Sequence, residues 1–546
     1  MLVLEAGNIK KYYRDKLIIE FDDLKVYSGD RIGIVGQNGS GKTTLLNILS
    51  MDIEPDQGFV KQYCDISYIR QFSDEGIKDA NPKALKEFDL NHKAHQKVFS
   101  GGEETRIKIV NAFSNESLLL FADEPTANLD YKGIGLLKQK LSEVETFLLV
   151  SHDRTLLDSL CNKILEVWDS KIKIYTGNYS SYKEQKHIEQ QYEMLEYDKY
   201  VFEKSKIEEA IIDRQNRSKT MRKTPKRMGN SEARLHKQDA KQKQQKIDKT
   251  VKSLKTRLEK LEVKERPRQV SRIKLDFSLT DPPKNKVVIS SDGLTFGYGN
   301  KKIFDNVKFK VYNGSKTALW GENGAGKTTL LNLIGSCSDE SIYVVPKAKL
   351  GYFRQGFENL EYGKTVLENV MKDSVQSQSV ARTILARLLI SGEDVYKRVG
   401  VLSGGEKIKV SFAKLFVSDA NVLLMDEPTN YLDVQSIEAL EDVFLEYEGT
   451  VLFVSHDRGF VNKIADRLLI VENREIIEFE GTPKEYFDGG KKPVIMANSE
   501  AERIALQMRI TEVVARLSEP GADKEMLEEE YRRLIQQLNS GCQGAD

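Results

Sequence analysis

The sequence predicts an α/β protein: two tandem copies of one module, joined by a long antiparallel α-helical hairpin and followed by a short helical extension. Three observations predict it. Short motifs recur in the same order in each half of the chain. Continuous apolar runs precede those motifs, as expected for strands buried on both faces of a mostly parallel sheet. Between the copies lies a basic stretch nearly devoid of glycine and proline, patterned as helix. At 546 residues the chain is also too long for a single core.

The repeat sets the boundaries. Gly36-Gln-Asn-Gly-Ser-Gly-Lys-Thr-Thr-Leu-Leu-Asn47 returns as Gly321-Glu-Asn-Gly-Ala-Gly-Lys-Thr-Thr-Leu-Leu-Asn332. Ser100-Gly101-Gly102-Glu103 returns as Ser403-Gly404-Gly405-Glu406, Asp123-Glu-Pro-Thr126 as Asp426-Glu-Pro-Thr429, and Val150-Ser-His-Asp-Arg154 as Val454-Ser-His-Asp-Arg458. The offset is 285 at the glycine loops, 284 at Gln71 and Gln355, and 303 at Ser100 and Ser403, so copy one is about 19 residues shorter there. The expected domains are residues 1–180, a hairpin over 181–285 with its tip near 218–231, a second module over 286–488, and the extension over 489–546.

Arg31–Val35 and Lys316–Trp320 are apolar runs leading into glycine loops of P-loop type. Glycines let backbone N–H groups wrap phosphates at a helix N-terminus. The candidate ATP contacts are Gly36, Asn38, Gly39, Gly41, Lys42, Thr43 and Thr44 in copy one. In copy two they are Gly321, Asn323, Gly324, Gly326, Lys327, Thr328 and Thr329. The lysines supply charge to the phosphates, and Thr43 and Thr328 are placed to ligate Mg2+. Asp123 and Asp426 end apolar runs and suit Mg2+ ligation, directly or through water. The neighbouring Glu124 and Glu427 are placed to orient or deprotonate an attacking water, and His152 and His456 to reach a γ-phosphate. Gln71 and Gln355 are candidates to sense Mg2+ or water. Tyr13 and Tyr298 each lie 23 residues before the first P-loop glycine, where they either stack on adenine or pack into the core; Tyr12 competes with Tyr13.

Formal net charge is zero, yet Arg214–Arg257 holds 16 Lys/Arg against three acids. A segregated basic block points to a polyanionic partner at that block. Ser181-x-x-Glu184 reads as a capping box opening the first leg. Ile188, Tyr192, Leu195 and Phe202 follow at heptad-compatible spacing, and Ile247, Val251, Leu254, Leu258 and Leu261 form the stripe of the return leg. The apolar stripe fades toward the tip, where Lys219, Met221, Arg222, Lys223, Pro225, Lys226, Arg227, Met228 and Asn230 are the candidate RNA contacts. A solvated charged hairpin is the plain alternative. Residues 501–539 read as a helical pair broken at Pro520-Gly521, either a cap on module two or a further contact. No apolar run approaches the roughly 18–20 residues of a membrane span. The N-terminus lacks a signal-peptide pattern, and the four cysteines show no metal spacing. A cytoplasmic protein with reduced thiols is expected.

Taken in order, the glycine loop, glutamine, Ser-Gly-Gly-Glu, Asp-Glu-Pro-Thr, Asn128-Leu-Asp130 or Tyr431-Leu-Asp433, and the histidine resemble the motifs of ABC-type ATPases. The resemblance implies two ATP molecules sandwiched head to tail. Ser403–Glu406 would close the Lys42 site, and Ser100–Glu103 the Lys327 site. Phe99 departs from the leucine usual before the signature. Two modules joined by helices after Gly177-Asn-Tyr-Ser-Ser-Tyr-Lys183 resemble ABC-F translation factors, and the long tip is similar to the Vga-, Lsa- and Sal-like resistance branch. That resemblance implies a monomer on the 70S ribosome, its linker passing from the E site toward 23S rRNA, the P-site tRNA and the peptidyl-transferase centre. It also implies protection against lincosamides, pleuromutilins and streptogramin A. The alternatives are a housekeeping ABC-F factor, the ATPase pair of a membrane transporter, and a DNA-repair or chromosome ATPase. In the housekeeping branch, module one carries an inserted arm between glutamine and signature, where this chain is the shorter copy.

Overall fold

The computed structural model describes residues 1–71, 88, 101–114, 117–220, 230–264, 282–299, 301–354, 359–479 and 481–489. Phe99, Ser100, Gln355, the tip residues Met221, Arg222, Lys223, Pro225, Lys226, Arg227 and Met228, and the C-terminal extension lie outside them, as do the side chains of Lys219 and Asn230. Two compact units result. Among the described residues, Met1–Cys161, Leu165–Lys173 and those from 282 onward form one; Asn162–Ile164 and those of 174–264 form the other.

The first unit holds two α/β nucleotide-binding modules. In module one the strands run across one sheet in the order Gln57–Gln62, Leu2–Tyr13, Lys16–Tyr27, Lys171–Thr176, Lys163–Trp168, Arg31–Gly36, Phe147–Val150, Leu119–Asp123, Ile66–Ile69. Module two repeats the order with Lys301–Tyr312, Val287–Tyr298 and Ile342–Val344 as a separate three-stranded sheet. Its six-stranded sheet runs Leu350–Phe353, Val422–Asp426, Thr450–Val454, Lys316–Gly321, Arg467–Glu472, Glu475–Phe479. The difference is local: Glu20 pairs with Lys171 and donates its N–H to Ser170 O at 2.6 Å, whereas Asp305 N reaches Arg474 O at 3.2 Å without a ladder.

The central strands behave as their apolar runs predict. Leu119–Asp123, Val422–Asp426 and Thr450–Val454 are buried at every position, so helices cover both faces. In module two Phe444, Phe453 and Phe460 meet edge to face at 5.5 and 5.8 Å. Burying each such ring contributes roughly 1.5–3 kcal/mol. Burial of the parallel strands matters for chemistry because it fixes their carboxyl ends, where Asp123 and Asp426 sit. Cys64, Cys161 and Cys337 are free thiols.

The second unit is the hairpin, a 42-residue helix Tyr179–Thr220 and a 30-residue helix Asn230–Glu259. The outgoing helix is about 63 Å long at 1.5 Å per residue. Its cap is not Ser181. Asn178 Oδ1 accepts from Ser181 N at 3.1 Å, so the helix opens three residues earlier than the capping-box pattern places it. Asparagine is as strong an N-cap as serine, and Gly177 at φ 111° supplies the preceding turn.

The apolar stripe of the outgoing leg also differs from the expected one. Ile188, Tyr192, Leu195 and Phe202 are 58–71% exposed, while Ile207 and Ile211 are buried. Glu203 pairs with Arg257 at 2.8 Å and Ser218 with Asp248 at 3.2 Å. Ile247, Val251, Leu254, Leu258 and Leu261 are half-buried, as the return stripe predicts.

The arm grows from an element that both modules carry. Gly177-Asn-Tyr-Ser-Ser-Tyr182 follows a strand pair in module one as Gly481-Thr-Pro-Lys-Glu-Tyr486 does in module two. In module two the described helix is Pro483–Gly489; in module one it runs on for 42 residues.

Candidate functional site

Each P-loop turns from a buried strand into a helix. Gly326, at φ 106°, precedes Lys327–Ser336, and a β-carbon there would lie 2.6 Å from Ile303. One on Gly321 would lie 2.4 Å from Val471 O. The loop therefore needs glycine for both conformation and space. Lys42 Nζ donates to the carbonyls of Gly36 at 2.9 Å and Gln37 at 3.0 Å. Lys327 Nζ donates to Gly321 and Glu322, both at 2.8 Å. Burial holds both ammonium groups below the usual lysine range, so a phosphate oxygen entering the loop meets a poorly hydrated cation.

At the strand ends, burial pushes Asp123 up to about 6 and Glu124 up to about 7. It raises Asp426, and raises Glu427 to about 7. His152 Nε2 lies 3.0 Å from Glu124 Oε1, and His456 Nε2 lies 3.4 Å from Glu427 Oε1. Burial, and then the P-loop lysine, depress both imidazoles to about 3, so each histidine is neutral; His456 Nε2 meets Asn323 Oδ1 of its own P-loop at 3.0 Å. Glu124 and Glu427 have φ 49° and 48°. Two non-glycine residues held left-handed at equivalent positions store backbone strain where the carboxylates must be aimed.

Both carboxylate oxygens of Asp123, and Oδ1 of Asp426, are buried without a hydrogen-bond partner. Thr43 and Thr328, close by in the P-loops, offset part of the upward push that burial gives these carboxyls. Orphaned buried carboxylate oxygens beside a hydroxyl fit a hard divalent cation. Among the described residues no group of three His, Cys, Asp or Glu forms a complete cage.

The two modules face each other across these loops. Asn38 N donates to Asp433 Oδ2 at 2.9 Å and Asn38 Nδ2 to Tyr431 O at 2.7 Å. Reciprocally, Asn323 N donates to Asp130 Oδ2 at 3.4 Å and Asn323 Nδ2 to Asn128 O at 3.1 Å. A β-carbon on Gly405 would lie 3.1 Å from Asn38 Nδ2, and one on Gly102 3.4 Å from Asn323 Nδ2. Each signature turn thus sits against the other module's P-loop. One cleft of about 1810 Å3 runs through both sites, larger than the roughly 300–1,000 Å3 of a single ligand pocket.

The cleft is lined by Asn38–Thr44 except Ser40, by Gly324 and Gly326–Thr329, and by Gln71, Asp123, Glu124, His152, Asp426, Glu427 and His456. Gly101, Gly102, Glu103, Ser403, Gly404 and Gly405 also line it. Glu406 does not: its carboxylate accepts from Ser403 N at 2.8 Å, closing the capping box of helix Gly404–Phe416. Tyr13 and Tyr298 line the cleft at 49% and 60% exposure, so neither packs into the core; Tyr12 is not part of the lining.

The Leu-Asp motif contained Asp130 and Asp433, but sequence reasoning assigned these aspartates no role in joining the modules. Asp433 Oδ1 caps helix Val434–Glu446 through Ser436 N at 2.8 Å while Oδ2 holds Asn38. Asp130 Oδ1 likewise caps Tyr131–Glu143 through Gly133 N at 2.9 Å. The signal was present, because a capping residue opens a helix in both copies of the Leu-Asp motif. Asp433→Ala removes the cap and the acid beside half-buried Lys409. It is expected to cost about 2 kcal/mol in a denaturant titration, about half of which Asp433→Asn restores.

A family model described as "ABC transporter" matches residues 20–127 and 304–430. The erythromycin resistance ATP-binding protein MsrA of Staphylococcus epidermidis is 33% identical, over 85% of this chain and 96% of that one. The ribosome protection protein VmlR of Bacillus subtilis (strain 168) is 30% identical, over 87% of each chain. A probable ATP-binding cassette sub-family F member 3 homolog of Encephalitozoon cuniculi (strain GB-M1) is 31% identical, over 88% of this chain and 82% of that one. The chain belongs to the ABC-F family. It is an ABC-type ATP hydrolase. Among the described residues of this ABC-F protein, no helix is long and apolar enough to cross a membrane.

Proposed function

We propose that this ABC-F protein is a cytoplasmic, monomeric ribosome-protection factor whose ATP-driven module closure sets the interdomain hairpin in the ribosomal exit site. The observation that carries the reading is the reciprocal interface: each P-loop is met by the other module's signature and aspartate, so ATP bound in either site joins the modules. Backbone N–H groups of the P-loops, with Lys42 and Lys327, take the phosphates, and Tyr13 and Tyr298 offer ring faces to adenine. Mg2+ would be held by Thr43 and Asp123 with Gln71, and by Thr328 and Asp426 with Gln355; bound there with ATP, it neutralises charge on the β- and γ-phosphates. Glu124 and Glu427 then take a proton from the attacking water, each oriented by its neutral histidine.

The basic hairpin inserted between the modules supplies the contact with RNA. Its tip, Lys219–Asn230, is directed in this reading from the E site toward the P-site tRNA and the peptidyl-transferase centre of 23S rRNA. There it protects against lincosamides, pleuromutilins and streptogramin A. The name of the relative MsrA adds erythromycin to the drugs worth testing. Hydrolysis loosens the sandwich and releases the arm. A protein carrying Glu124→Gln and Glu427→Gln is expected to co-sediment with 70S ribosomes in ATP and to leave them in its absence. No ATP-dependent ribosome binding would overturn the proposal.

A further inference from the structure

The interface is reciprocal in plan but unlike in chemistry. Gln37 meets Gln435 at 3.2 Å in one half, and Glu322 pairs with Lys132 in the other. Beneath the Lys42 site the difference is larger. Arg154, two residues after His152, crosses to module two and pairs with Glu441, with Arg154 Nη1 at 3.1 Å from Glu441 Oε2. Glu441 is fully buried. Its only other cation is Lys463, at 2.7 Å from Oε2, among the described residues. Glu438 lies 3.8 Å from Arg154 Nη1. The position equivalent to Glu441 in module one is Lys138, 303 residues earlier. Arg458, the equivalent of Arg154, instead stacks over Phe487 at 5.3 Å.

Helix Val434–Glu446 therefore grips module one at two points. Asp433 at its start holds the P-loop through Asn38, and Glu441 two turns later holds Arg154 beside the histidine loop. Helix Tyr131–Glu143 grips module two through Asp130, with a lysine at the second point. We infer that Arg154 and Glu441 are an inter-module positioning pair, which sets His152 against Glu124 only when the modules are closed and so gates turnover at the Lys42 site more than at the Lys327 site, whose Asp457 the same guanidinium faces without a bidentate pair. This rests on the reading of Glu124 and His152 as the hydrolytic pair of that site.

A planar guanidinium held at two oxygens fixes orientation as well as distance. A small misplacement of a catalytic loop costs about 10–100-fold in rate. The test uses the full-length protein and single-turnover ATP hydrolysis. In the Glu427→Gln background, Arg154→Gln is expected to lower the rate about 10–100-fold, with the KM for ATP within about twofold. In the Glu124→Gln background the same change is expected to have less than a twofold effect, and Arg458→Gln is expected to leave the Lys42 site within about twofold. Where silencing one site silences both, the loss is read in the kcat of the protein carrying both glutamates. Arg154→Gln leaves the Glu441–Lys463 pair inside module two intact, and Arg154→Lys should recover part of the rate. Equal losses at both sites, or a loss matched by a fall in Tm and not rescued by Arg154→Lys, overturn the inference. Turnover surviving in the Glu124→Gln, Glu427→Gln double variant would instead overturn the assignment of the glutamates.

Discussion

Replacing Glu124 and Glu427 together by glutamine is expected to lower steady-state ATP hydrolysis by about 10^2–10^4-fold while leaving ATP binding nearly intact. The substitution keeps size and one hydrogen-bond acceptor toward the histidine but removes the proton acceptor. Burial places both carboxylates at about 7, where a base combines a useful deprotonated fraction with the greatest basicity. The sign follows directly. A base works deprotonated, so kcat/KM, which reports the free enzyme, should rise with pH through about 7 in the native protein. Phosphate release against pH, with equilibrium ATP binding measured alongside, checks both parts. Turnover within tenfold of native would rule these glutamates out as the bases.

The parts of this site that the sequence made legible are those in which one residue type is forced by chemistry close at hand along the chain. A lysine after a glycine loop and a carboxylate ending a four-residue apolar run need no partner from elsewhere to be recognised. The exact repeat of these patterns then fixed two α/β modules. What stayed hidden depends on distance in sequence. Arg154 and Glu441 are 287 residues apart, and nothing near either announces the other. Asp433 looks like a helix cap, and it is one; its second oxygen acts across the interface. Glu406 shows the reverse, a residue of a motif that serves its own helix and leaves the cleft. In the hairpin, apolar spacing was legible but its register was not. Ile207 and Ile211 pack where Phe202 does not, because the pairing is set jointly with the return leg.

Exchanging Met221–Gly229 for a four-residue Gly/Ser turn is expected to leave ATP hydrolysis within about twofold of native and to abolish antibiotic protection. The described helices end at Thr220 and resume at Asn230, and two antiparallel helices can be joined by a loop of about 2–5 residues. The exchange therefore keeps both legs and both ATP sites. It removes Arg222, Lys223, Lys226 and Arg227. If all four neutralise phosphates of single-stranded RNA, the slope of log K against log salt for ribosome binding falls by about 3. Met221, Pro225 and Met228 leave with them, and these are the tip's groups able to lie against bases. Two measurements then divide the roles. A salt slope that drops while protection survives would make the tip an anchor, with the effector elsewhere on the arm. Protection lost with the slope unchanged would make the apolar groups the effector and the charges bystanders. Native protection with a native slope would remove the tip from the mechanism.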